Sequence, residues 1–581
     1  MVTAKNKSSP AATGGTRRLG RGWFLAGLLL VLGFNFFIRV RLAATPLERD
    51  EGEYAYTGQL LLQGIPPYQL AYNMKFPGTY LAYALIMAVG GETTQGIHVG
   101  LAFVTSLTAV LVAIISGKLS GRAAGLLAAA SYVLLAATPA AFGLAGHATH
   151  FVALFTTAGT LALLAGAERP TLWRWGLAGL LFGSAILMKQ HAVLLAGAGL
   201  AWLGWRMRRA ECGVRNAEKA QTSAPHPTLP LNRPTPGRSE EGSKAGGARR
   251  NSCSPLMKSG VAYCLGCALP LLVTTIYLAA AGVWRPFIFW TIQYASQYAS
   301  AVSIQTAGMS FQNGFSPVFN ATWPLWLLGL IGGGAVLFSR DRLRLSLGVL
   351  LLLGGMLAAV PGYHFRGHYF LAAMPGLALL IGAALAAAWQ RISDIQGRVI
   401  LSGVVSSALA VTVWSNWQIW FQLTPDQVAR QMYSLNPFLE SPKVADYLRA
   451  NTAPGERIAV VGSEPQIYFH AGRPSATGYI YMYALTEPQP YAQKMRAEFA
   501  REIETAQPRY IVFVDIITSW VSLSAADTTV LTWWNQFAQN YEPVGAVALA
   551  ADQPTHYVWD EATVRTLDLT QYHLIVYRKK P

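Results

Sequence analysis

The chain has 581 residues, of which 52% are hydrophobic and only 13% charged, against about 25% charged in an ordinary globular domain. Apolar runs near the ~20 residues needed to cross a hydrocarbon core recur up to Trp420, which excludes a simple soluble protein. The net charge of +17 does not point to nucleic acid: residues 1–22 hold five Lys/Arg and no acid, and residues 206–258 hold eleven against four. Basic segments flanking membrane spans are cytoplasmic anchors under the positive-inside rule.

In chain order, a basic tail (1–21) precedes a first span at Gly22–Val40, too long for a signal-peptide core. The segment after it, Pro46–Gly78, then falls outside and is dense in acids, tyrosines and prolines: PLERDEGEYAYTGQLLLQGIPPYQLAYNMKFPG. Thr79–Gly90 is apolar but too short to cross, and reading it as interfacial keeps Lys118 and Arg122 inside, as charge requires. Gln95–Ser116, Arg122–Phe142 and His147–Ala165 alternate across the membrane. The run Trp173–Trp205 is too long for one helix and is read as two spans meeting at Lys189, Gln190 and His191.

Residues 210–257, rich in Pro, Gly, Ser and charge, cannot bury enough apolar surface to order themselves and are expected to be a disordered cytoplasmic insertion, about 207–258 in extent. Gly260–Ala281, Thr322–Phe338, Leu345–Val360, Leu371–Trp389 and Ile400–Trp420 complete about eleven spans, leaving the C-terminus outside. Cys264 and Cys267 form a CxxC inside an apolar helix, read as packing residues. Residues 421–581 carry 13 basic and 16 acidic side chains and alternate helix and strand patterns. The expectation is a polytopic α-helical membrane domain over 22–420, with an external loop 44–94, followed by a small extracytoplasmic α/β domain.

This topology puts the unusual polar clusters on one face: Asp50/Glu51/Glu53, Lys75, His147/His150, Lys189/His191, Arg285 and His364/Arg366/His368. Ionisable groups at membrane edges are costly and usually functional. A carboxylate opposite several cations suits a site that deprotonates a hydroxyl and holds a phosphate. The bland alternatives are a solvated helix cap for Asp50/Glu51, a snorkelling Lys75 and a simple helix break at Lys189–His191. His364 and His368 have i,i+4 spacing but no acid near them in sequence, so no metal site is expected.

The order RDEGEYAY, GxPPY, KFPG, then ILMKQHA at Ile186–Ala192 and RGHYFLAAMPGLALL at Arg366–Leu380 resembles the dolichyl-phosphate-mannose–protein mannosyltransferase-like family. That group includes the bacterial aminoarabinose transferases and has the GT-C fold. The tail segments KVADYLRANTAPGERIAVVGSEPQIYFHAGR and PRYIVFV are similar to the tail of some bacterial members.

The resemblance implies an inverting membrane glycosyltransferase that moves a sugar from a polyprenyl-phosphate donor to a hydroxyl of a protein, lipid or glycan, at the outer face of the cell membrane. It implies that Asp50 is the catalytic carboxylate. Lys75 matches the lysine that holds the donor phosphate, although Lys75-Phe76-Pro77 stands where relatives have Lys-Pro-Pro. Met74 replaces a glutamate of some relatives, leaving Glu51 or Glu53 as a second carboxylate. Arg366, His368 and Tyr369 match the late donor-site segment, and Lys189 and His191 join them as donor-binding candidates. His147 and His150 stand where relatives have acids or amides and take no role. No cofactor is required beyond the lipid-linked donor; the carboxylates could hold a divalent cation, although close relatives work without one. A transporter of lipid-linked sugars is the alternative reading; it would call for internal repeats and mid-membrane charges, neither of which the sequence shows.

Overall fold

A computed structural model describes residues 20–222, 255–300, 302–339, 342–520, 529–550, 553–566 and 572–581. The first helix, α1 (Arg21–Arg41), leads to α2 (Arg49–Leu62), α3 (Gly78–Gly90), α4 (Thr94–Ser120), α5 (Arg122–Ala136) and α6 (Ala148–Glu168). Next come α7 (Leu172–Met188), α8 (Val193–Thr222) and α9 (Pro255–Ala280). The chain breaks between α7 and α8 at Lys189, an extended residue followed by a short 3-10 turn over Gln190–Ala192. The backbone of α8 is helical to Thr222, so the first part of the segment expected to be disordered is helix; the rest lies outside the described residues.

Among the described residues, seven helices are long and apolar enough to cross a membrane and four shorter apolar ones accompany them. Lipid exposure separates them. Only 11% of the apolar window in Met257–Ala280 is buried, with Leu265, Leu272 and Ile276 facing out, whereas 83% of that in Gly367–Arg391 is inside the bundle. The outer helix α9 packs tightly on α7 because Gly179 and Gly183 present bare backbone to Tyr263 and Cys267, where a Cβ would collide; small residues four apart are the usual device for close helix contact in lipid.

The helix expected at Thr322–Phe338 is longer, Ile304–Leu337, and bends at Thr322 between Pro317 and Pro324. Proline removes a backbone donor and kinks a helix without necessarily ending it. Before it, Trp284–Ala299 is an irregular helical segment with a π-helical stretch at Phe289–Tyr294.

Beyond the last long helix (Ile395–Ser415), the C-terminal part forms one five-stranded sheet in the order β1-β2-β5-β3-β4. The strands are β1 (Ala459–Val461), β2 (Tyr510–Asp515), β3 (Tyr541–Ala548), β4 (His556–Val558) and β5 (His573–Lys579), with β1–β2 parallel and the remaining pairs antiparallel. Helices Ser441–Asn451 and Gln466–Ala471 connect this sheet to α2. Gly52 of α2 abuts Gln466 so closely that a Cβ would lie 2.7 Å from it. The Tyr72 amide donates to the Gly478 carbonyl at 2.6 Å, and the Ser475 amide donates to the Tyr56 hydroxyl at 2.7 Å. The acidic segment and the C-terminal sheet domain are therefore packed as one body.

Candidate active site

The N-terminus of α2 is set by a reciprocal cap: the Glu51 amide donates to the Glu48 carboxylate at 3.0 Å, and the Glu48 amide to Glu51 at 3.4 Å. This cap aims consecutive acids in different directions, since residues on a helix advance by about 100°. Asp50 turns toward a cluster of cations. Its Oδ1 accepts from Lys75 Nζ at 2.8 Å, and the same ammonium donates to Glu53 Oε2 at 2.5 Å while lying 4.6 Å from the Tyr54 ring centre. Glu53 is fully buried and its other oxygen accepts from the Tyr80 hydroxyl at 2.5 Å.

Two carboxylates thus share one ammonium, and their surroundings push them apart. Burial alone would raise the Asp50 pKa, but Lys75, His147 and Arg366 outweigh it and hold the carboxyl well below the usual range. Glu53 is raised, by burial first and by the charge of Asp50, against the pull of Lys75. Asp50 is the member kept ionised.

Glu51 faces the other way. It is 1% exposed, and its Oε1 accepts from the Gly146 amide at 2.5 Å and sits 3.0 Å from His98 Nε2. The other ring nitrogen of His98 lies 2.8 Å from the Ala43 carbonyl, which only accepts, so Nδ1 carries a hydrogen and Nε2 shares one proton with Glu51. Every oxygen of Glu51 is occupied by the scaffold; as a catalytic candidate it is displaced by its own packing.

Lys189, at the break after α7, places Nζ 3.4 Å from the centre of the Tyr369 ring and has no ion pair among the described residues. Burial lowers its pKa to about 7; Asp50 raises it and Lys75 lowers it. Arg366 is exposed, likewise without an ion pair among the described residues, and feels the charge of Asp50. His191 meets Tyr369 edge-on at 6.4 Å and lines a small recess with Lys189, Thr149 and Tyr369. His364 instead stacks on Tyr298. The structure therefore gathers Asp50, Lys75, Lys189, Arg366, His368 and Tyr369 at one place.

Sequence reasoning passed over several participants. His147, just before α6, has Nδ1 3.8 Å from Asp50 Oδ2 and 3.9 Å from Glu48 Oε1, and neither ring nitrogen has a hydrogen-bond partner among the described residues. It is 2% exposed, and burial lowers its pKa to about 4, against the pull of Asp50 and Glu51. Its ring stacks on His368 at 3.8 Å and 6°. The HATH sequence opening an apolar helix was the signal available. Arg49, Glu464 and Tyr481 were also passed over, because only the fold brings the last two to α2.

Asp50, His147 and His368 offer three ligand-type atoms within 4.8 Å of one another, which raises the question of a metal. An imidazole binds a metal in its own ring plane. Two parallel rings 3.8 Å apart cannot both contain one ion in their planes, so these three side chains as placed do not form a common metal site.

Residues 75–215 match the family described as dolichyl-phosphate-mannose-protein mannosyltransferase. No curated protein matches the sequence. Among solved structures, ArnT from Cupriavidus metallidurans bound to undecaprenyl phosphate superposes with a TM-score of 0.54 at 13% identity, covering 96% of this chain and 98% of that one. The apo form of the same ArnT gives 0.51 at 13% identity, with the same coverage. The archaeal oligosaccharyltransferase AglB from Archaeoglobus fulgidus, in complex with an inhibitory peptide and a dolichol-phosphate, gives 0.50 at 12% identity over 94% of this chain and 75% of that one. At such identities the superpositions establish the fold alone, the polytopic helical membrane fold of the GT-C type, and the likeness to the mannosyltransferase family extends over residues 75–215.

Proposed function

We propose that the protein transfers a sugar from a polyprenyl-phosphate donor to an acceptor hydroxyl at the outer face of the membrane, with Asp50 as the base. The observation that carries this reading is a carboxylate, Asp50, paired with Lys75 at 2.8 Å and facing further cations, two of which, Lys189 and Arg366, hold no carboxylate among the described residues. An uncommitted lysine and arginine beside a base suit an anionic leaving group.

In the proposed step the acceptor oxygen attacks the anomeric carbon while its proton passes to Asp50. The bond from that carbon to the phosphate oxygen breaks, and the polyprenyl phosphate leaves with the electron pair, inverting the configuration. Lys189 and Arg366 balance the departing charge, and Lys75 is able to exchange Asp50 for phosphate while remaining paired to Glu53. His368 and Tyr369 wall the donor side. His191 supports Tyr369, and Glu51 fixes the start of α2. The C-terminal domain is read as extracytoplasmic because it follows the same face as Asp50.

The test is mass spectrometry of envelope glycans, lipids and proteins from cells with the gene, without it, and with Asp50→Asn. A product lost on deletion and restored by wild type but not by Asp50→Asn supports the reading. Restoration by Asp50→Asn would remove Asp50 from catalysis. A lipid-linked sugar that crosses the bilayer without reaching any acceptor would favour the transporter.

A further inference from the structure

The C-terminal domain reaches the reacting carboxylate itself. The Tyr481 hydroxyl, 431 residues along the chain from Asp50, lies 3.0 Å from the Arg49 carbonyl and 3.4 Å from Asp50 Oδ1. It is carried on a rigid platform. The Met482 amide donates to Ser463 Oγ at 2.8 Å, and the Ser463 amide to Ser519 Oγ at 2.7 Å. The same platform grips the residue before Asp50: Arg49 donates to the Ser463 carbonyl at 2.5 Å, to buried Glu464 at 2.7 Å and to Asn436 at 3.1 Å. Glu464 has no exposed side-chain surface, so this pair is desolvated and costly to break.

Two groups therefore flank Asp50 Oδ1, the Lys75 ammonium at 2.8 Å and the Tyr481 hydroxyl at 3.4 Å, whose single hydrogen is shared with the nearer Arg49 carbonyl, whereas among the described residues Oδ2 faces the His147 ring at 3.8 Å. An oxygen already held by an ammonium and approached by a hydroxyl is a poorer place for a further hydrogen than its partner. We infer that Tyr481 is a positioning residue for Asp50: with Lys75 it immobilises Oδ1, so that Oδ2 is the oxygen that takes the acceptor proton. The inference rests on Asp50 being the base, but the contact is testable without any sugar.

The other groups facing Asp50 are Glu48 and Glu53 on its own helix, His147 before α6, Lys189 after α7, and Arg366 with His368 on the late segment. None of them changes when one hydroxyl is removed from Tyr481.

Carbodiimide with an amine labels only protonated carboxyls, and peptide mass spectrometry reads the label on Asp50 across pH in the full-length protein. Losing a donor to the ionised form raises a carboxyl pKa, so Tyr481→Phe is expected to shift the Asp50 labelling profile to higher pH by about half a unit, or about threefold more label at a fixed pH on its rising limb. Tyr483→Phe is the control, because its hydroxyl donates to the Thr518 carbonyl of the same domain; it is expected to leave the profile unchanged. Thermal unfolding is followed in both variants. An unshifted profile in Tyr481→Phe overturns the inference, as does an equal shift in Tyr483→Phe, which would mean general loosening. If the profile shifts but Asp50→Asn restores transfer in cells, the contact stands and the assignment of Asp50 as base falls.

Discussion

Asp50 and Glu51 are neighbours on one helical turn and have opposite surroundings. Asp50 looks into the seam between α2 and the C-terminal domain, where Lys75 holds one of its oxygens and 29% of its side chain remains exposed. Glu51 looks into the helical bundle, where the Gly146 amide and His98 leave it 1% exposed. Chemistry needs a carboxylate with one free oxygen and a path for substrate; architecture needs one with none. Under the proposed function the same residue class serves both ends, and the difference comes from direction alone.

The comparison breaks most sharply at Asp50. Asp50→Asn is expected to reduce transfer by about 10³-fold, within the range of a lost general base, with no loss of thermal stability; normal turnover in that variant would erase the distinction between the two acids. Glu51→Ala is expected to do the reverse. It strands the buried His98 and the Gly146 amide, and should lower unfolding stability by about 3–5 kcal/mol, measured by thermal or denaturant unfolding in detergent. A Glu51→Ala protein that unfolds normally but cannot transfer would show that both acids act in chemistry.

The cations sharpen the same contrast. Lys189→Ala removes an ammonium that pairs with no carboxylate among the described residues and is expected to weaken undecaprenyl phosphate binding by about 10–100-fold, the effect of losing one charge-assisted hydrogen bond worth about 1.5–3 kcal/mol. The smallest effect is in pH. The Lys189 pKa is lowered to about 7, so the free site loses a positive charge as pH rises through that value. Undecaprenyl phosphate affinity should therefore fall several-fold between about pH 6 and pH 9, and Lys189→Arg, charged throughout, should flatten that dependence. A pH-independent affinity in the wild type would show that Lys189 does not meet the phosphate.

Much of this was legible in one dimension. The lengths of the apolar runs, the polar break at Lys189–His191 and the short apolar run Tyr510–Val514 of PRYIVFV follow from the spacing of apolar residues, which the lipid and the sheet each demand locally. Asp50, Lys75, Arg366 and His368 stood out because charge beside a membrane span has no packing use. The extension of the helix at Ile304–Leu337 was hidden by Pro317 and Pro324, which bend that helix and do not end it. The strand His556–Val558 was too short to show a period.

What the chain order determined is therefore the inventory: a membrane-spanning bundle, an acidic segment after its first span, and a set of cations spread over several later segments. Only the tertiary structure decided which of two adjacent acids meets those cations, that Lys75 is already paired while Lys189 and Arg366 hold no carboxylate among the described residues, and that Tyr481 closes on Asp50 from the C-terminal domain. The physical reason is that periodicity and charge are local properties of a sequence, whereas the direction of a side chain, and the burial that sets its protonation, depend on contacts between segments hundreds of residues apart.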